Sequence, residues 1–106
     1  DIDEIKTTII RSKAIVIDVS RVVKYRKNHI AGLISFPELG EVEKCNSDVE
    51  LQKLQTKLLE KVRDLKGKVK PKIYLFCLEE ERSKVAAWRL IAMGYVNVYQ
   101  FKRNQK

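Results

Sequence analysis

Apolar residues form short unbroken runs in some parts of the chain and helically spaced patterns in others. These mainly apolar segments cover residues 14–19, 33–36 and 72–77, and a fourth segment, 96–101, alternates apolar and polar residues. Consecutive β-branched apolar residues are typical of strands buried on both faces, as in a parallel sheet covered by helices. The pattern therefore predicts four strands, of which the last is an outer strand.

Helical spacing is clearest between residues 51 and 65, where apolar side chains recur every three or four positions. Ser47 and Glu50 fit a capping box at the start of this helix, and Gly67 has the position of a left-handed C-cap at its end. The intervening segment 38–46 has no clear period and is predicted to be a loop. Shorter helices are predicted over residues 1–11, 20–28 and 83–94.

Strands that alternate with helices predict the overall architecture. The chain has 106 residues, which is enough for one domain with its own hydrophobic core. We therefore predict a single domain over residues 1–106 with an α/β three-layer fold and a small, mainly parallel sheet flanked by helices.

The composition of the chain limits which cellular compartments and binding partners are expected. The net charge is +8, but the basic residues are interleaved with acids and no nucleic-acid motif accompanies them, which disfavours nucleic-acid binding. No apolar run has the length of a membrane span, so no membrane association is expected. Cys45 and Cys77 are too few for a disulfide framework and lack metal-ligand spacing with His29. We expect a reducing, cytoplasmic compartment, no metal and no cofactor.

The candidate chemistry lies at Cys77, which follows an apolar strand and precedes a polar loop and a helix predicted to begin near Ser83. A chain that passes from a buried strand into a helix directs loop amides and the positive helix end toward the strand tip. A thiol there can be held as a thiolate or can lie beside a bound anion.

Two separated stretches, taken together, resemble the rhodanese family. The matching positions are the strand 15–19, Tyr25, His29-Ile30 with Gly32, Pro37, the loop from Cys77 to Arg82 and Ser83, and the turn 94–99. The resemblance implies a five-stranded, mostly parallel sheet and transfer of sulfane sulfur from a small donor such as thiosulfate to a thiol acceptor. Four residues between Cys77 and Arg82 fit the sulfurtransferase loop better than the longer dual-specificity phosphatase loop.

The same resemblance implies roles for individual residues. Cys77 would be the nucleophile that carries the persulfide, Arg82 would contact the oxygens of the donor, and Ser83 would cap the following helix. The amide groups that would cradle the anion belong to Leu78, Glu79, Glu80, Glu81 and Arg82.

The acidic loop 79–81 departs from the family pattern, which commonly has a glycine and basic or small residues there. Three carboxylates near the sulfur oppose a thiolate by roughly 1.5–3 kcal/mol in total, which nearly cancels the attraction of the helix end and Arg82. Two hypotheses therefore remain open: a sulfurtransferase that uses Cys77, and a catalytically weak module that binds a protein partner. The basic side chains predicted to form the docking surface of such a module are Arg21, Lys24, Arg26 and Lys27.

Several other residues have structural interpretations. Asp18 is predicted to brace loops at a strand end, and His29 to fix a turn by a hydrogen bond. Cys45 is predicted to be an ordinary loop residue. Trp88 is predicted to pack in or around the core.

Overall fold

The computed structural model describes residues 5–7, 9, 11, 14–21, 32–43, 46–77 and 80–101. The strands are β1 (Ile15–Asp18), β2 (Leu33–Ser35), β3 (Lys72–Phe76) and β4 (Asn97–Gln100). The α-helices are α1 (Asp48–Lys61) and α2 (Glu80–Ala92), and 3-10 helices cover Pro37–Gly40 and Arg63–Gly67. Residues 5–7, 9 and 11 are also helical, as the spacing at the start of the chain predicted.

The sheet has the strand order β2-β1-β3-β4, and every neighbouring pair is parallel. The predicted α/β class is therefore confirmed, and β4 is an outer strand as expected. The fifth strand implied by the family resemblance is wrong for the part of the chain that the structure describes, which contributes four strands. The predicted helix over 20–28 lies outside the described residues except at its first two positions.

Both faces of the sheet are covered, which gives the three predicted layers. On one face Ile17, Leu75 and the inner sides of α1 and α2 form the larger core. On the other face Val16 packs with Ile5 of the helical segment at the start of the chain. Successive residues of a strand point to opposite faces, so a strand between two helical layers needs apolar residues at consecutive positions. This explains the three consecutive apolar residues Ile15, Val16 and Ile17 of β1, a strand whose four residues are all buried.

Helix α1 begins as predicted, because the Ser47 hydroxyl oxygen accepts a hydrogen bond of 3.3 Å from the Glu50 N–H. Its end differs from the prediction. The α-helix stops at Lys61, and the chain continues as a 3-10 helix that keeps Leu65 buried. The prediction of a left-handed cap at Gly67 was wrong, since Gly67 has no positive φ.

The segment predicted to be a loop starts as a 3-10 helix, with Pro37 in its first turn. Gly40 at its end lies very close to two other elements. A Cβ atom on this residue would lie 3.0 Å from Cβ of Val19 and 3.1 Å from the carbonyl oxygen of Arg82. The absence of a side chain at Gly40 therefore lets this segment pack directly against the chain after β1 and against α2.

Gly94 ends α2, as predicted. Its φ is +108°, its N–H donates to the Ile91 carbonyl at 3.0 Å, and the Tyr95 N–H donates to the Leu90 carbonyl at 3.1 Å. These two bonds form a Schellman motif, which requires a left-handed residue that glycine adopts at the lowest cost.

Gly94→Ala is expected to lower the free energy of unfolding by about 1–2 kcal/mol, because alanine is strained at positive φ. The matched control is Gly67→Ala, where the backbone has no positive φ and an added Cβ meets nothing within 4 Å. We expect this control to stabilise the chain by up to about 1 kcal/mol. Urea unfolding of both variants measures the difference, and equal effects would contradict the assigned role of Gly94.

Candidate functional site

The carboxyl ends of the four parallel strands lie at one edge of the sheet, which is where α/β folds usually bind ligands. Asp18 ends β1 at this edge, and its buried carboxylate oxygen Oδ1 accepts a hydrogen bond of 2.9 Å from the Ser20 N–H. This bond shapes the turn that leads to Arg21.

Cys77 directly follows β3 at the same edge. Its exposed fraction is only 6%, and it belongs to the larger core together with Leu75. The described part of α2 covers Glu80–Ala92, and Leu78 and Glu79, which stand between Cys77 and this helix in the sequence, lie outside the described residues. The thiol is therefore attached to the short connection that enters the positive end of α2.

The start of α2 is three residues earlier than predicted. The prediction used Ser83 as the cap, but Ser83 lies inside the helix, is buried, and donates its hydroxyl hydrogen to Oε1 of Gln100 at 2.9 Å. Glutamate is a good helix former and is favoured in a first turn, where Glu81 complements the helix dipole. Ser83 therefore connects α2 to β4 and does not cap the helix.

Arg82 points across the edge of the sheet to the backbone of two other connections. Its Nε donates to the Val19 carbonyl oxygen and its NH2 group donates to the Pro37 carbonyl oxygen, both at 2.8 Å. The residue is 5% exposed. These bonds fix the first turn of α2 against the chain that follows β1 and β2.

Arg89 is a second buried arginine on α2 that was not predicted to belong to the site. It is fully buried; its Nε donates to Oδ1 of Asn46 at 2.6 Å and its NH1 group donates to the Leu39 carbonyl oxygen at 2.9 Å. Burial lowers the pKa of Arg89, and nearby Glu41 acts in the opposite direction. The feature of the sequence that could have identified Arg89 is its spacing from Arg82, because residues seven positions apart lie on the same helix face.

A cleft of about 280 Å³ opens between the connections after β1 and β2 and the first turn of α2. It is lined by Arg21, Glu41, Val42, Glu43, Glu81 and Arg82. Arg21, Glu81 and Arg82 were predicted to contribute to binding. Glu41, Val42 and Glu43 were missed, because they lie in or next to a segment whose sequence has no helical or strand period. The cleft therefore brings together parts of the chain that are far apart in the sequence.

Several predicted site residues lie outside the part of the chain that the structure describes. They are Lys24, Arg26, Lys27, His29, Cys45, Leu78 and Glu79. Trp88, which was predicted to pack in or around the core, is 53% exposed and is therefore not a core residue.

None of the described helices is both long and apolar enough to cross a membrane. A family model, the Rhodanese-like domain, matches residues 1–103 of the chain. A search for relatives among curated proteins found no match.

Proposed function

Since the chain belongs to the rhodanese-like domain family, we propose that it transfers sulfane sulfur through a persulfide on Cys77. The observation that carries this proposal is the position of Cys77 at the carboxyl end of the inner strand β3, just before the first turn of α2. Amide groups in the first turn of a helix have no carbonyl partner within the helix and can bind an anion. This position would bring the thiol near donors suited to an anionic sulfur donor, which supports the proposal.

The reaction has two balanced steps. The Cys77 thiolate attacks the outer sulfur of thiosulfate, a new S–S bond forms, and the old S–S bond breaks so that its electron pair leaves with sulfite. A thiolate acceptor then attacks the outer sulfur of the Cys77 persulfide, and Cys77 leaves as a thiolate. Neither step consumes an external oxidant or reductant, because the sulfur is already at the sulfane level.

We assign separate roles to the other residues of the proposed site. The amide groups from Leu78 to Arg82 would bind the donor, with Glu80, Glu81 and Arg82 contributing from the first turn of α2. The guanidinium of Arg82 donates to two backbone carbonyls, which supports a positioning role over the contact with donor oxygens that the resemblance implied. Ser83 would hold the helix against β4 through Gln100.

A second candidate function is a rhodanese-like module that binds a protein partner with little or no sulfur transfer. The specific observation in its favour is the burial of Cys77, whose exposed fraction of 6% leaves little access for a donor. The exposed carboxylates of Glu41, Glu43 and Glu81 also make the cleft unfavourable for a dianion such as thiosulfate.

Mass spectrometry of the intact, folded chain after exposure to thiosulfate distinguishes the two candidates. Sulfur transfer predicts a product heavier by one sulfur atom, which a thiol reductant removes. Incubation with sulfite is the matched control, because sulfite has no sulfane sulfur to give. A folded chain that gains no sulfur from thiosulfate would overturn the sulfurtransferase proposal and favour the binding module.

A further inference from the structure

The outer side of α2 carries large apolar side chains where a surface helix usually has polar ones. Trp88 is 53% exposed and Ile91 is 59% exposed. Residues three, four and seven positions apart share a helix face, which places both side chains in one stripe with Lys84 and Glu81. The buried side of the helix is formed by Arg82, Ser83, Ala86, Arg89 and Leu90. The apolar stripe is therefore additional to the side of α2 that packs in the core.

The helix face that carries this apolar stripe reaches the cleft, because Glu81 lies on that face and also lines the cleft, with Lys84 between Glu81 and Trp88. Glu81 and Trp88 are seven positions apart, which corresponds to about 10 Å along the helix axis. A single extended or helical protein segment can span that distance. The apolar stripe and the cleft can therefore contact one ligand at the same time.

The accessible charge of the cleft is acidic, although the protein as a whole carries a net charge of +8. Glu41, Glu43 and Glu81 are exposed, and Arg21 is the exposed basic residue among the lining side chains. The other arginine, Arg82, is 5% exposed and directs its guanidinium at the carbonyls of the protein itself. A ligand in the cleft therefore meets more carboxylates than cations, which favours cationic groups.

We infer that the outer stripe of α2 (Trp88, Ile91) and the acidic cleft (Glu41, Glu43, Glu81) form one docking surface for a protein segment of defined chemistry. That segment has apolar side chains that cover Trp88 and Ile91, and lysine or arginine side chains about 10 Å away that enter the cleft. The inference deepens the second candidate function by naming its surface and partner class, and it does not require a reactive Cys77. An exposed tryptophan flanked by aliphatic surface is a typical centre of binding energy in protein interfaces.

Peptide titration of the full chain tests this inference, and Trp88 provides the signal because it is the only tryptophan in the sequence. The probe is a synthetic amphipathic peptide with leucines on one face and lysines at one end. The matched control peptide has glutamates in place of the lysines. We expect saturable binding of the basic peptide, a shift of the tryptophan emission to shorter wavelength, and at least tenfold weaker binding of the acidic peptide.

Two pairs of variants assign the binding to the surface, with dissociation constants measured by calorimetry. Ile91→Ser should weaken binding of the basic peptide about tenfold. Tyr99→Ser should leave this binding unchanged, because Tyr99, which is 42% exposed, stacks on Tyr74 on the other face of the sheet. The double variant with Glu41→Gln and Glu43→Gln should weaken binding of the basic peptide about tenfold at low salt and much less at high salt. Glu60→Gln, an exposed glutamate of α1 outside the cleft, should have no effect.

Three results would overturn the inference. The first is equal binding of both peptides, and the second is an equal effect of Ile91→Ser and Tyr99→Ser on binding. The third is a dimer of the chain that dissociates when Ile91 is replaced by serine, because the stripe would then be covered by a second copy. The thiosulfate measurement on the same preparation tests the sulfurtransferase proposal separately, because sulfur uptake depends on Cys77 and not on peptide binding.

Discussion

A chain in which serine replaces Cys77 is expected to take up no sulfur from thiosulfate, whereas the unmodified chain gains one sulfur atom. Only a thiolate can form the persulfide, and a serine hydroxyl is a weak nucleophile without a general base. Because Cys77 is buried among apolar side chains, Cys77→Ala serves as a second variant that introduces no polar group there. Intact-mass spectrometry of both variants measures the uptake.

Cys45→Ser is the matched control for this experiment, since Cys45 is the other cysteine of the chain. We expect it to take up sulfur to the same extent as the unmodified chain. If the Cys77 variants gained sulfur and Cys45→Ser did not, Cys45 would be the acceptor and the proposed role of Cys77 would be wrong.

Arg82→Ala is expected to lower the free energy of unfolding by about 2–4 kcal/mol. The substitution removes two short hydrogen bonds from a guanidinium and leaves the carbonyl oxygens of Val19 and Pro37 without these donors. Urea unfolding followed by the fluorescence of Trp88 measures the loss.

Two comparisons show whether the loss comes from this bridging geometry. Arg82→Lys should lose roughly half as much, because an ammonium keeps the charge but cannot reproduce the planar fork that reaches two carbonyls. Arg63→Ala removes an exposed arginine from a 3-10 helix and should change the free energy of unfolding by less than about 0.5 kcal/mol. An Arg82→Ala variant as stable as Arg63→Ala would show that Arg82 does not hold these connections together.

Local patterns were sufficient to predict most of the fold. The apolar residues of β1 and the spacing of Leu54 and Leu58 in α1 reflect burial directly, so both elements were predicted, although α1 ends earlier than expected. Element ends depend on weaker, competing preferences. Ser83 was taken as a cap because serine often is one, but its hydroxyl binds Gln100, which lies on another element and has no relation to Ser83 in the sequence pattern.

The position of Cys77 was predictable for the same reason, because it requires only that a buried strand ends and a helix follows. The side chains that surround this edge of the sheet were not predictable. Asn46 and Leu39 meet Arg89 only after α2 has packed against the segment that follows β2. A single sequence carries no signal for such a long-range contact between a charged side chain and a backbone carbonyl.

The parallel pairing of β1 with β3 has a consequence for how the chain is made. Ile15 pairs with Ile73, and all of β2 and α1 lie between them in the sequence. The long loop between the two strands must close, at a cost in chain entropy, before their pairing contributes favourable free energy. Such sheets are therefore slow to assemble. On the ribosome, the edge of β1 that faces β3 must therefore stay unpaired until β3 emerges, although β2 can already pair with the other edge. An unpaired strand edge makes the nascent chain prone to aggregation during that interval.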